Sequence, residues 1–102
     1  MASMHALDTF VREWMQAGKP DMNLIKQMLT ALKEPAPPGW EQAAGAPLFS
    51  TSFHGIDYDY EKEEVHISYR AVEGLYEETT VSFAVFYILL EGLSVVLRRH
   101  HW

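Results

Sequence analysis

The sequence predicts an α+β domain in which an N-terminal αα-hairpin and a long C-terminal helix pack on an antiparallel sheet of two to three strands. Residues 4–34 carry apolar side chains at helical spacing, and residues 48–80 change to an alternation of apolar and polar side chains. Residues 81–97, VSFAVFYILLEGLSVVL, form the longest apolar run. We expect a single domain, 1–102, because a chain of 102 residues can bury one core but not a second lobe.

The first segment, residues 4–34, is predicted to be a helical hairpin. Phe10 and Trp14 lie one helical turn apart, and a short GKPD connection follows the first helix. The aspartate of that connection, Asp21, can cap a second helix. So short a connection predicts that the two helices are antiparallel neighbours.

The next segment, residues 35–47, holds four of the five prolines and is predicted to be a Pro-rich connector. Its Trp40 is expected to pack back on the core, since burial is the usual fate of so large an apolar side chain.

Residues 48–80 form the predicted β-hairpin region. The apolar members of two alternating strands are Ile56, Tyr58 and Tyr60, then Val65, Ile67 and Tyr69. The polar members are Asp57, Asp59 and Glu61, then Glu64, His66 and Ser68. We expect a turn at residues 61–64 that sets Tyr60 opposite Val65, with the apolar members on the core face.

Two further features of the sheet are expected. Gly55 is predicted to mark a bulge that returns Phe49 and Phe53 to the core side, because both phenylalanines have the opposite parity from Ile56. A third strand is predicted near residues 75–80, after a turn at 73–74.

Residues 81–99 are predicted to be the C-terminal helix, with Phe86, Leu90 and Leu97 on one face. A short strand from Thr80 followed by a shorter helix remains an alternative. Glu91 lies near the middle of the run and argues against a membrane span, because a carboxylate there costs about 2.5 to 3.5 kcal/mol on insertion.

Composition limits the chemistry and the compartment. There is no cysteine, which excludes disulfides, thiolate catalysis and cysteine-ligated zinc, and which favours a reducing compartment. The N-terminal residues lack a basic flank followed by an apolar core, so no secretory signal is expected. We therefore expect a cytoplasmic protein with no membrane association.

Charge is concentrated in one segment. Residues 57–78 contain eight acidic residues against Lys62 and Arg70, whereas the rest of the chain has six acidic and six basic residues. This segment therefore carries the whole net charge of −6. Such a surface repels phosphates, which disfavours direct nucleic-acid binding and favours a basic protein partner.

The sequence also contains residues for two other kinds of chemistry. A metal site could draw on His54, Asp57, Asp59 and His66, with His100 and His101, but no ligand spacing fixes such a site. An RNase-like enzyme could use Glu64, His66 and Arg70, but the flanking acids would repel its substrate. We expect no catalytic residues, no metal and no other cofactor.

The segment HGIDYDYEKEEVHISYRAVEGLYEE, residues 54–78, together with the short, acidic, cysteine-free character of the whole chain, resembles the small immunity proteins of bacterial contact-dependent growth inhibition and related polymorphic toxin systems. The resemblance implies an inhibitor that binds and blocks the C-terminal domain of its cognate toxin, often a basic nuclease that cleaves tRNA or DNA, inside the bacterial cytoplasm.

The expected partner site is the outer face of the β-hairpin and its flanks. Its charges are Asp57, Asp59, Glu61, Glu64, Glu77 and Glu78, and its possible aromatic anchors are Tyr58, Tyr60 and Tyr76. Two alternatives stay open. The carboxylates could simply be a solvated surface, or the chain could be a homo-oligomeric module that self-associates through surplus apolar surface on residues 81–97.

Overall fold

The computed structural model describes residues 5–40, 48–72 and 74–100. The helices are α1 (Ala6–Gln16), α2 (Met22–Lys33) and α3 (Phe83–His100); the strands are β1 (Phe49–Ser50), β2 (His54–Asp59), β3 (Glu64–Tyr69) and β4 (Thr79–Ser82). The strands form one antiparallel sheet in the order β1-β2-β3-β4, and all three helices contribute to the core on one of its faces. The predicted α+β class and long C-terminal helix are confirmed, with four strands rather than two or three.

Both N-terminal helices form for local reasons that the sequence contains. In α1, Ala6, Phe10 and Trp14 recur at every fourth position and are buried. Asp21 caps α2 as predicted, since its side chain accepts a hydrogen bond from the Leu24 N–H at 3.1 Å. The two helices then make their main contacts with different elements, α1 with β3 and α2 with α3.

Trp40 is half-buried, and its ring meets Tyr60 edge to face at a centroid distance of 5.5 Å. Residue 4 of the predicted first helix and residues 41–47 of the predicted connector lie outside the described residues.

The β2–β3 hairpin has the predicted faces but a different register. Tyr58, not Tyr60, lies opposite Val65, and Asp59 lies opposite Glu64. The turn occupies residues 60–63 because one Asp59 carboxylate oxygen accepts hydrogen bonds from the backbone N–H groups of Glu61 and Lys62, both at 3.1 Å. A shift of two residues leaves every side chain on its predicted face, whereas a shift of one would invert them all.

The predicted bulge at Gly55 is wrong. Gly55 lies in regular register opposite Ser68 and Ser50, and the chain instead reverses at residues 51–54, where the Thr51 N–H donates to the His54 carbonyl at 2.9 Å. This reversal places Phe49 opposite Ile56 on the core side without a bulge. It leaves Phe53 at the tip of the turn with 48% of its surface exposed, so the predicted burial of Phe53 is also wrong.

The C-terminal helix begins later than predicted, because the first residues of the segment form a strand. Residues 79–82 form β4, in which Val81 lies opposite Val65, and α3 begins only at Phe83. Ser82 is the capping residue, since its hydroxyl accepts a hydrogen bond from the Val85 N–H at 3.2 Å. The Phe83 N–H donates to the Glu63 carbonyl at 2.9 Å, which ties the start of α3 to the β2–β3 turn. Residue 73 of the predicted turn lies outside the described residues.

The core joins all three helices to β2 and β3. Its α3 members are Phe86, Leu90, Leu93 and Leu97, of which Leu90 is fully buried. Among the described residues, no helix combines the length and the apolar character needed to cross a bilayer.

Leu90→Asp should unfold the domain, because an uncompensated charge in the core costs several kcal/mol against a total stability of about 5 to 15 kcal/mol. Ile88→Asp is the matched control on the same helix, since Ile88 is 71% exposed and its replacement should leave the fold intact. Circular dichroism during urea titration measures both. A cooperatively folded Leu90→Asp variant would show that α3 is not central to the core.

Stability should fall at alkaline pH because of Tyr58. Burial, with a smaller effect of Tyr60, raises the pKa of Tyr58, whose hydroxyl donates to the Met28 carbonyl at 2.8 Å. In the unfolded chain a tyrosine ionises near its ordinary pKa of about 10, so the stabilising contribution is complete below that pH and is lost progressively as the pH rises above it.

The corresponding variants separate this effect from general alkaline denaturation. Tyr58→Phe should cost about 0.5 to 1.5 kcal/mol at neutral pH through loss of one hydrogen bond, and should lose less stability than the parent above about pH 10. Tyr76→Phe, at a half-buried position, serves as the control. An equal alkaline loss in the parent and in Tyr58→Phe would contradict the assignment.

Candidate functional site

The face of the sheet that points away from the core is polar and acidic. Cross-strand partners share a face, and on this face Asp57 lies opposite His66 and Asp59 lies opposite Glu64. His66 lies opposite Thr80 on β4, and Glu64 lies opposite Ser82. These side chains are exposed or half-buried. We call this surface the acidic face and define it by Asp57, Asp59, Glu64, His66 and Glu78.

Backbone hydrogen bonds hold two of its carboxylates in place. One Asp57 oxygen accepts from the Leu48 N–H at 2.9 Å, which links β2 to the residue before β1. One Asp59 oxygen accepts the two N–H bonds of the β2–β3 turn. The second oxygen of each carboxylate has no hydrogen-bond partner among the described residues. Both groups can therefore meet a cation with little loss of side-chain entropy.

His66 joins the acidic face to β4. Its Nδ1 lies 3.0 Å from the Thr80 hydroxyl and 3.4 Å from a Glu78 carboxylate oxygen. The pair with Glu78 is half-exposed, so it orders the side chains more than it stabilises the fold. Glu78 thereby extends the row of carboxylates from β2 and β3 to the start of β4.

The other predicted partner residues do not all lie on the acidic face. Glu61 lies in the exposed β2–β3 turn next to the acidic face. Glu77 lies apart from that face, 3.4 Å from Nδ1 of His5 at the start of α1. Tyr58 must be withdrawn as an anchor, because the even-numbered positions of β2 face the core and Tyr58 is only 5% exposed.

The remaining tyrosines lie at opposite ends of the sheet. Tyr60 is half-buried against Phe83 and Trp40, and burial raises its pKa, with a smaller effect of Glu34. Tyr76 is half-buried and meets Tyr69 edge to face at 4.8 Å between ring centroids.

An open groove of about 460 Å³ adjoins the acidic face at the Tyr76 end. Ser68, Tyr69, Arg70, Gly74, Tyr76 and Glu78 line it. Glu78 belongs to both the groove and the acidic face, so the groove joins that face to Tyr69, Tyr76 and Arg70. Of the three predicted tyrosines, Tyr76 is the best placed to act as an anchor.

The candidate metal residues whose side chains the structure describes do not assemble as the sequence suggested, and His101 lies outside the described residues. His54 faces the core, whereas Asp57, Asp59 and His66 lie on the opposite face of the sheet. The structure instead brings the ligand atoms of Asp59, Glu64 and His66 within 4.8 Å of one another. Partly exposed sets of this kind are common on acidic surfaces without an ion, and the expectation that the protein needs no metal stays a prediction.

A second polar cluster lies on the core side and was not predicted. His54 is 1% exposed; its Nδ1 lies 2.6 Å from a Glu13 carboxylate oxygen, and its Nε2 lies 2.7 Å from the Thr9 hydroxyl. Glu13 also accepts from the Thr51 hydroxyl at 2.7 Å and from the Ser52 N–H at 3.1 Å. The parity of His54, equal to that of Ile56, was the available signal for this burial.

The order hydroxyl, imidazole, carboxylate is also that of hydrolase triads. Two features make the cluster structural here. The Thr9 hydroxyl lies within hydrogen-bond distance of the Ala6 carbonyl, at 2.9 Å, and so is held against its own helix. His54 is only 1% exposed, although with Thr9 and Glu13 it lines an open groove of about 190 Å³, so its ring offers little surface to a substrate. We interpret the cluster as a clamp that joins α1 to the β1–β2 turn.

No protein-family model, curated protein or solved structure matches this chain. The acidic face and its groove are therefore the structural features that indicate a function.

Glu13→Ala should destabilise the fold by about 1 to 3 kcal/mol, because it leaves the donors of buried His54 and half-buried Thr51 without their acceptor. Glu91→Ala, at an exposed position of α3, is the control and should change stability by no more than about 0.5 kcal/mol. Urea unfolding measures both. Equal stability of the two variants would show that the clamp contributes nothing.

Proposed function

We propose that this protein is an immunity protein: an inhibitor that binds the basic catalytic domain of a cognate toxin through its acidic face and so neutralises it in the bacterial cytoplasm. The observation that carries the proposal is the row of carboxylates on the exposed side of the sheet, Asp57, Asp59, Glu64 and Glu78, two of which are fixed by backbone hydrogen bonds.

The geometry of this row suits lysine and arginine side chains. Asp57 and Asp59 are two residues apart on one strand, about 7 Å, and Asp59 lies opposite Glu64 at about 5 Å between Cβ atoms. An arginine fork can bind one such carboxylate with two parallel hydrogen bonds. Several cations of a partner can therefore be engaged together by side chains that are already ordered.

A nuclease is the class of toxin that this surface fits best. The site that binds the phosphates of a nucleic acid must be positively charged. A rigid row of carboxylates can occupy such a site, block access to substrate and speed association through long-range attraction. Tyr76 and Tyr69 beside Glu78 supply aromatic surface of the kind that concentrates binding energy in protein interfaces.

The partner to test is the C-terminal domain of the large protein encoded immediately upstream, since an immunity gene is expected to follow its toxin gene. Asp57→Asn combined with Asp59→Asn removes two charges and keeps an amide oxygen for each backbone hydrogen bond. We expect unchanged or higher thermal stability, salt-dependent slowing of association, and a loss of about 2 to 5 kcal/mol for each carboxylate that becomes buried and paired.

Two controls test the position of the site rather than the total charge. Glu78→Gln should weaken binding, whereas Glu77→Gln, the neighbouring residue beside His5, should not. Glu34→Gln with Glu91→Gln removes two charges at exposed positions of other elements. Equal affinity of the Asp57/Asp59 double variant and the parent at low salt, or equal weakening by the Glu34/Glu91 control, would refute the proposed site.

A further inference from the structure

α3 carries a second apolar surface on the side that faces away from the core. Val85, Ile88 and Val95 are 51%, 71% and 48% exposed. With Gly92 they occupy positions i, i+3, i+7 and i+10, which fall on one helical stripe. The core members Phe86, Leu90, Leu93 and Leu97 lie on the opposite side of the same helix. We call these four residues, 85, 88, 92 and 95, the outer stripe.

The spacing of the outer stripe is that of a helix-pairing seam. Alternating steps of three and four residues are the a and d positions of a coiled coil, whose apolar side chains pack into a facing helix. Gly92 lies in the middle, and a Cβ atom added there would meet nothing within 4 Å. A large side chain from another helix can therefore pack directly over the backbone of α3.

Self-complementarity points to a second copy of the same chain. In an antiparallel pair related by a two-fold axis near residue 90, Ile88 of each copy lies over Gly92 of the other, and Val85 lies beside Val95. Each Ile88 thus meets a Gly92, with one such pair on each side of the axis, as close packing requires.

Charges at the two ends of α3 select the antiparallel arrangement. Arg99 is exposed near its C-terminus. Glu63, also exposed, lies at its N-terminus, because its carbonyl accepts the hydrogen bond of the Phe83 N–H. Antiparallel pairing brings Arg99 of one copy to the acidic turn, residues 60–63, of the other. Parallel pairing would place Arg99 beside Arg99, and it would also align the helix dipoles unfavourably.

We propose that the protein forms an antiparallel homodimer through the outer stripe of α3. Each contact within 4 Å between a carboxylate and a basic side chain among the described residues involves a histidine, so Arg99 is available for the contact with the second copy. This interface is independent of the acidic face, and its failure would leave the proposed inhibitory function untouched.

Light scattering coupled to size exclusion, over a range of concentrations, should give twice the chain mass for the parent. Ile88→Asp should give the monomer mass with an unchanged circular dichroism spectrum. Leu75→Asp, at an exposed apolar position away from α3, should remain dimeric. A parent that stays monomeric at every concentration, or a species larger than a dimer, would overturn the proposal.

A charge exchange tests the contact at the helix ends without placing charge on the stripe. Arg99→Glu should shift the dimer toward monomer, and addition of Glu63→Lys should restore dimerisation. If Arg99→Glu leaves the mass unchanged, the proposed contact does not exist.

Cross-linking tests the direction, since the chain has no cysteine of its own. A mixture of the single variants Val85→Cys and Val95→Cys should form a disulfide-linked dimer, whereas Val85→Cys alone should not. The reverse pattern indicates parallel pairing and contradicts the proposal.

The outer stripe could instead bind the upstream-encoded domain. If the parent is monomeric and Ile88→Asp weakens its binding of that domain, the outer stripe binds that partner and the dimer is refuted.

Discussion

The buried contact between Glu13 and His54 fixes how the helical layer lies on the sheet. Glu13 belongs to α1, whereas His54 and the residues of the adjoining turn belong to the sheet, so a single carboxylate of the helical layer accepts hydrogen bonds from the sheet and its β1–β2 turn. Phe10 packs edge to face on His54 at a centroid distance of 5.7 Å, which covers one side of the imidazole. The buried imidazole favours this alignment, because a displacement of α1 that removed Glu13 would leave it without its partner.

The packing of the helical layer on the sheet determines which two surfaces of the domain face solvent. The helices cover one face of the sheet, and the other face is left to solvent with its carboxylates. α3 contributes to the core with one side and exposes the outer stripe on the other. The acidic face and the outer stripe therefore lie on opposite sides of the domain. A dimer formed through α3 would leave both acidic faces free, so that each copy could still bind a basic partner.

The sequence predicts the faces of this fold better than it predicts its registers. Alternation along β2 and β3 correctly separated Asp57 from Ile56, because periodicity reports which side of a strand a residue occupies. It could not distinguish two registers that differ by two residues. That choice was made by the Asp59 side chain, which caps the backbone of the turn.

The missed features share a physical cause. Residues 79–82 have a sequence that suits either a strand or the first turn of a helix, and only pairing with β3 decides for the strand. His54 and Glu13 are 41 positions apart, so their contact depends on tertiary structure that no local pattern contains. The placement of Glu77 and Glu78 on different surfaces likewise depends on α1, through His5, and on β3, through His66.

Alternation also explains how a strongly charged surface is compatible with a stable domain. On β2 each carboxylate is flanked by a core residue, but the two project to opposite sides, so the acidic face and the core can change independently. Mutual repulsion of the carboxylates is reduced by the backbone N–H groups that bind Asp57 and Asp59. A cationic partner would relieve the remaining repulsion, and its binding free energy would include that relief. The carboxylates that repel one another in the free domain would therefore stabilise the complex, most strongly at low ionic strength.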